Sequence, residues 1–247
     1  MLRLIYSIFR NCFRAYMIPL MRYMANHPER FSLERRYRIV RRACYIAAKT
    51  TRISTLSSGQ EHLPTKGGYI LCPNHQGKYD ALGIINTHDA PCSIVMDYNR
   101  SNMILVSEII DLVNGKRLKI DDVRQAMHVI QEIADEVKTG SRFIIFPEGG
   151  YVRSKKNSLS EFRAGAFKSA LKSRSPIVPV ALIDTYKAFN RNSLRKVVTQ
   201  VHYLEPITYE DYKGMKTFEI SEIVKTRISE KIAEITNTKR SVQQAVS

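Results

Sequence analysis

The sequence predicts an α/β domain, a mixed central sheet flanked by helices, preceded by a basic two-helix segment. Three observations lead there. Short, continuously apolar runs at 68–72 (GYILC), 142–146 (RFIIF) and Ile177–Ile183 (IVPVALI) suit strands covered on both faces. Between them, apolar residues recur every three or four positions, the period of helices packed along one side. The charge is also lopsided. Of a net +16 over 247 residues, +10 falls in residues 1–52, where twelve Lys and Arg stand against Glu29 and Glu34. This length suffices for one well-cored domain. A hydrophobic content of 44% excludes a disordered polyelectrolyte, and 11 Gly with 9 Pro exclude fibrous chains.

In chain order, residues 2–18 come first. Leu2, Ile5, Ile8, Phe9, Cys12, Phe13, Tyr16 and Met17 follow the rhythm of one helical face. At about 100° per residue, Arg3, Arg10 and Arg14 share an arc of roughly 40° on the opposite side. Such a helix is expected to lie in a lipid interface, its greasy side in the acyl boundary and its guanidinium groups on head-group phosphates. It does not span: the charge-free run 15–21 is far shorter than the roughly 20 residues required. Pro19 interrupts that run, and no unbroken signal-peptide core is present. Residues 33–49 form the second helix, with Tyr37, Val40 and Cys44 apolar and Arg35, Arg36, Arg38, Arg41 and Arg42 strongly basic. Anionic lipid attracts each nearby Lys or Arg by about 1 kcal/mol, so the two helices together read as an anionic-membrane-association segment over 1–52.

From residue 53 to 247 the texture is that of the α/β domain. The run 68–72 is a strand ended by Pro73, 81–85 is helix-compatible, and 93–96 is a strand. Residues 122–138 are the clearest helix, with Val123, Met127, Ile130, Ile133, Ala134 and Val137 on one stripe. A strand over 142–146 closes at Pro147, a helix covers 162–172, and Ile177–Ile183 is a strand whose Pro179 marks an edge or a bulge. Residues 197–203 read as a late edge strand and 218–235 as a closing amphipathic helix. Cys12, Cys44, Cys72 and Cys92 form no CxxC pair, so a zinc ribbon, a redox dithiol and a disulfide framework are not expected.

The chemistry sits where strands end. Asn74-His75-Gln76-Gly77-Lys78-Tyr79-Asp80 follows a strand and precedes a helix, the place where open α/β sheets bind ligands. A neutral imidazole takes a proton from a hydroxyl, and a carboxylate on its other nitrogen fixes the tautomer. Asp80 reaches His75 if the intervening residues turn. The second block is Phe146-Pro147-Glu148-Gly149-Gly150-Tyr151-Val152-Arg153-Ser154. Its glycines let backbone N–H groups approach an anion, and Arg153 offers a phosphate fork. Glu148 is placed to accept from a substrate hydroxyl or to hold an arginine. Arg117 and Lys119 beside Gly115, and Arg163 with Lys168 around Gly165, add cations at further turns.

Taken in order, these blocks and the later Pro176-Ile177-Val178-Pro179-Val180 resemble the glycerolipid acyltransferase family typified by 1-acylglycerol-3-phosphate acyltransferase. There Asn-His-x4-Asp is the catalytic block, Phe-Pro-Glu-Gly-Thr-Arg-Ser holds the acyl acceptor, and Val-Pro-Val lies on a later strand. The resemblance covers about residues 70–185 and implies a glycerol-3-phosphate acyltransferase-like fold, with 53–247 the catalytic domain. It implies His75 as general base, Asp80 as its support, and Glu148, Gly149 and Arg153 around the acceptor; Arg163, outside the family's motifs, is an extra clamp. Two residues more than usual separate Gly149 from Arg153-Ser154, which makes Arg153 the nearest equivalent of the family's arginine. Arg117 or Lys119 stands in for the second-block arginine. The implied reaction moves a fatty acyl group from acyl-CoA or acyl carrier protein to the sn-2 hydroxyl of a lysophosphatidic acid, with no tightly bound cofactor and no metal. Glycerol 3-phosphate or another lysolipid is the alternative acceptor. The expected place is the cytoplasmic face of a membrane, as a peripheral or monotopic protein. A pI near 9.8 alone would also suit nucleic acid. However, no helix-turn-helix, RNP or zinc-finger pattern accompanies it, and no Gly-x-Ser-x-Gly elbow suggests a lipid hydrolase.

Overall fold

The computed structural model describes residues 2–189 and 193–246, with the side chains of residues 2, 4, 153, 239, 240 and 242–246 left out of the description. Helices α1 (Leu2–Arg10), α2 (Met17–Asn26) and α3 (Leu33–Thr50) lead into strand β1 (Ile53–Ser58) and β2 (Tyr69–Pro73). Then come α4 (Asp80–Thr87), β3 (Ser93–Asp97), α5 (Tyr98–Ser101), α6 (Val106–Leu112), β4 (Lys116–Leu118) and α7 (Val123–Lys138). The chain finishes with β5 (Arg142–Ile144), α8 (Lys168–Ser173), β6 (Ile177–Ile183), α9 (Tyr186–Phe189), β7 (Val197–Tyr203), α10 (Tyr209–Tyr212) and α11 (Thr217–Val246).

The seven strands form one sheet in the order β1-β7-β6-β2-β5-β3-β4. Every neighbouring pair is parallel except β6 and β7. The sheet is therefore mixed, as expected. β1 and β7 run against the rest, so their first residues lie at the same end as the last residues of β2, β5 and β6.

Alternation within β2 assigns the two cores. Tyr69 and Leu71 face one side with Met21 and Met24 of α2, Tyr37, Val40 and Cys44 of α3, and Ile84 of α4. Ile70 and Cys72 face the other, with Val129 and Ile133 of α7 and Ile220, Val224 and Ile228 of α11. Both faces are covered, which is why these strands read as unbroken apolar runs.

Several expectations are corrected. Pro179 lies at neither an edge nor a bulge, since β6 is paired on both sides. The reason is where its missing donor points. The Pro179 carbonyl accepts from Leu204 N–H at 3.0 Å, and pairing with β7 starts only at Val180. The absent N–H thus falls where that ladder has run out. β7 is covered by β1, a polar strand that hydrophobic pattern does not reveal, so it is not the edge. The helix expected over 162–172 is split into a 3-10 turn (Ala164–Phe167) and α8. Helix 2–18 is likewise broken, with a 3-10 turn at Cys12–Arg14 before α2, and Pro19 sits harmlessly in the first turn of α2.

Arg3 is the largest departure. Instead of sharing an outer face with Arg10, it is fully buried and donates to the carbonyls of Thr51 (2.7 Å), Ser193 (2.6 Å) and Arg195 (2.8 Å). Three strong acceptors at the chain turns around β1 and β7 hold it there. The polar side of α1 therefore faces the protein. Its apolar side faces out, with Phe9 77% and Phe13 65% exposed beside Ile5, Ile8 and Tyr16. No helix among the described residues is long and apolar enough to cross a membrane. In α3, a core face of Tyr37, Val40 and Cys44 stands opposite an exposed basic face of Arg35, Arg38 and Arg42.

Candidate active site

The end of β2 is built by side chains that imitate backbone. Pro73 closes the strand, and the Asn74 amide continues its pairing with β6. Its Nδ2 donates to Leu182 O (3.1 Å) while its Oδ1 accepts from Leu182 N–H (2.7 Å). That pair holds the next residue, His75, at the mouth of the sheet.

From His75 the chain curls so that Asp80, the first residue of α4, lies beneath the imidazole. His75 Nδ1 and Asp80 Oδ2 are 2.7 Å apart. The same oxygen accepts the N–H groups of Gln76 (2.5 Å) and Gly77 (2.8 Å). Asp80 is completely buried, and its Oδ2 collects three donors at the amino-terminal end of α4. Its Oδ1 has no hydrogen-bond partner among the described residues. A carboxylate oxygen only accepts, so Nδ1 carries a proton, and in the neutral form of the ring the lone pair is on Nε2. The ring is held between Phe146 (centroids 4.3 Å) and Tyr151 (5.0 Å, edge-on), with 17% of the side chain exposed.

Glu148 comes from the loop after β5, the neighbour of β2. Its Oε1 accepts the His75 backbone N–H at 2.7 Å, and its Oε2 accepts Ser160 N–H at 3.0 Å. This buried carboxylate therefore clasps the two loops and, among the described residues, holds no arginine. The Gly149 N–H closes a turn on Phe146 O at 3.1 Å, and Gly149 has φ +67°, the left-handed region. A Cβ there would stand 2.6 Å from Arg163 Nε, because the Arg163 guanidinium lies across this glycine. Arg163 N–H in turn donates to Pro147 O at 2.8 Å. The structure thus brings His75, Asp80, Glu148, Gly149 and Arg163 together.

The Arg153 side chain lies outside the described residues; its backbone opens a 3-10 turn, Arg153–Lys155. Arg117 and Lys119 are at the same end of the sheet but on its β4 rim, three strands from β2 and about 14 Å away at ordinary strand spacing. Arg117 pairs with Asp111 at 2.7 Å, and the Lys119 ammonium stands 4.8 Å from the Tyr98 ring centre. Cys72, three residues before His75, is buried in the core, where burial pushes its thiol well above the usual range. Among the described residues, no group of three or more His, Cys, Asp or Glu side chains is arranged to hold a metal ion.

Sequence reasoning missed a second polar layer. Gln76 Nε2 donates to Leu182 O (2.8 Å) and Asn157 Oδ1 (3.0 Å), and its Oε1 accepts from Thr185 N–H (3.0 Å) and Oγ (2.9 Å). Asn157 also donates to Asp184 Oδ1 at 3.2 Å. Gln76 lies within the quoted block, yet amide side chains carry no chemical signature that separates such a brace from a solvated residue.

With this geometry in place, comparison with known proteins adds four findings. A family model described as Acyltransferase matches residues 55–183. The chain is 36% identical over 115 residues to a 1-acyl-sn-glycerol-3-phosphate acyltransferase of Cocos nucifera, covering 45% of this chain but only 37% of that protein. It is 27% identical over 170 residues to the enzyme of that name from Escherichia coli (strain K12), covering 68% of this chain and 69% of that one. The fold matches the crystal structure of the 1-acyl-sn-glycerophosphate (LPA) acyltransferase PlsC from Thermotoga maritima. That match has a TM-score of 0.76 over 95% of each chain, at 18% identity.

Proposed function

The chain belongs to the acyltransferase family, and from that premise we propose that it acylates the sn-2 hydroxyl of a 1-acyl-glycerol 3-phosphate, giving phosphatidic acid. The observation that carries the reading is the His75–Asp80 contact, which turns Nε2 away from the carboxylate at the mouth of the sheet. In the proposed step the acceptor hydroxyl attacks the carbonyl carbon of an acyl thioester while Nε2 takes its proton. The ester C–O bond forms, the C–S bond breaks, and the imidazolium returns the proton to the departing thiolate. Asp80 supports the transient imidazolium without accepting its proton. No covalent acyl-enzyme and no cofactor beyond the thioester, whether acyl-CoA or acyl carrier protein, enters this scheme.

Glu148 holds the base in place through the His75 backbone. Arg163, with Arg153 from the same loop, takes the acceptor phosphate. Arg117 and Lys119 on the β4 rim widen the cationic approach. The outward apolar face of α1 supports a peripheral seat on a membrane, which lets the enzyme meet its lipid acceptor without extracting it. The seat we propose is the cytoplasmic side of an anionic membrane. Mass spectrometry of products from the purified chain, offered a panel of lysolipids with acyl-CoA and with acyl carrier protein donors, tests the reading. A 1-acyl-glycerol 3-phosphate acceptor is expected to give phosphatidic acid. His75→Ala is expected to lose about 10²–10⁴-fold in turnover. Undiminished turnover in that variant would remove His75 from the chemistry.

A further inference from the structure

A group of cations that this mechanism leaves unused lines a second cavity at the same end of the sheet. Its volume is about 710 Å³, and it opens between α1, the end of β6 and the start of β7. Arg3, Lys187, Arg195 and Lys196 line it against a single carboxylate, Asp184, which Lys187 already pairs at 2.8 Å. Arg3 has no acidic partner among the described residues. Among the described residues its terminal nitrogens donate only to carbonyls, and its buried Nε has no acceptor. Burial and the neighbouring Arg52 both act against its charge. Arg195 and Lys196 are exposed and form no ion pair among the described residues. A buried guanidinium without an anion is costly, and crowded cations repel one another. An anion entering this cavity offsets both.

We infer that the cavity is a second phosphate site, separate from the Arg163 loop, for a phosphate-bearing group belonging to the acyl donor or to a lipid head. Its volume exceeds that of one phosphate and falls among small-molecule sites of about 300–1,000 Å³. Leu56 and Val198 add exposed aliphatic surface for the rest of a nucleotide-like group. Strand β7 is two positions from β2, about 10 Å at ordinary spacing, so a carrier held here reaches His75 without overlapping the acceptor. Only the identification with an acyl donor rests on the function proposed above; the phosphate chemistry does not.

The test uses the full chain and two probes, adenosine 3′,5′-bisphosphate and phosphatidylcholine vesicles with or without phosphatidylglycerol. The double variant Arg195→Glu/Lys196→Glu is compared with Lys66→Glu/Lys213→Glu, which makes the same charge change at the opposite end of the sheet. Loss of about ten-fold or more in nucleotide affinity in the first variant alone identifies the donor as source. A comparable loss confined to phosphatidylglycerol vesicles identifies the lipid head. Equal behaviour of the two variants on both probes overturns the site. His75→Ala is expected to bind both probes like the parent, so absence of acyl transfer and absence of this site are read separately.

Discussion

Asp80 does more than touch His75. One of its oxygens gathers an imidazole proton and two backbone N–H groups, so it shapes the loop and sets the tautomer together. Asp80→Asn supplies an NH₂ that can face a donor and strand the wrong ring nitrogen with the proton. Turnover is expected to fall about 10²–10⁴-fold with the acceptor KM little changed, as steady-state kinetics will show. Glu148→Gln removes one of two acceptors from a buried clasp, leaving an N–H unmet. A loss of about 1–3 kcal/mol in denaturant-derived stability is expected, together with lower kcat. Gly149→Ala meets two obstacles, a left-handed backbone costing about 1–2 kcal/mol and the Arg163 side chain in the way. A raised acceptor KM, with Arg163 displaced, is the expected outcome.

Among the elements, α1 is unusual in turning its arginine inward and its phenylalanines outward. The buried Arg3 fixes its roll, because three carbonyls at the starts of β1 and β7 can be satisfied in only one orientation. That roll presents Phe9 and Phe13 to whatever lies at the site end of the sheet. Removing all of residues 1–30 would also uncover Met21 and Met24, which belong to the core. A cleaner probe is Phe9→Asp/Phe13→Asp. Each buried phenylalanine contributes about 1.5–3 kcal/mol on an interface, so vesicle sedimentation should show more than ten-fold weaker binding with the thermal midpoint unchanged. Retained binding would assign membrane attachment elsewhere, most readily to the basic face of α3. At α6, the Arg36 guanidinium from α3 donates to Leu112 O and Asn114, tying the helices before β1 into the sheet layer.

For the molecule as a whole, His88 couples stability to acidity. It ends α4 fully buried, its Nδ1–H donating to Ala90 O (2.7 Å) and its Nε2 accepting from Tyr69 (2.7 Å). Burial pushes its pKa down to about 4 from 6.5. Between those values the unfolded chain binds a proton that the folded chain refuses, so stability falls as pH falls through this window. The contribution amounts to about 3 kcal/mol once pH is below 4. Urea melts from pH 7 to pH 4 should show that slope in the parent, and a flatter one in His88→Gln, whose amide can satisfy both partners.

What the amino-acid sequence determined alone was everything local and periodic. The runs at β2, β5 and β6 declared strands buried on both faces, and the stripe through Val129, Ile133 and Val137 declared α7. Three residues of the site, His75, Asp80 and Glu148, were legible because strand ends and turn residues mark where an α/β sheet exposes its chemistry. Only the tertiary structure decided what depends on partners distant in the chain. β1 and β4 carry few apolar residues and exist because β7 and β3 offer unpaired backbone groups. Pro179 is tolerated because β7 stops beside it, and Arg3 is buried because residues 51, 193 and 195 converge on it. A hydrophobic period records which side of an element seeks cover. It contains nothing about which carbonyl will be waiting on the other side.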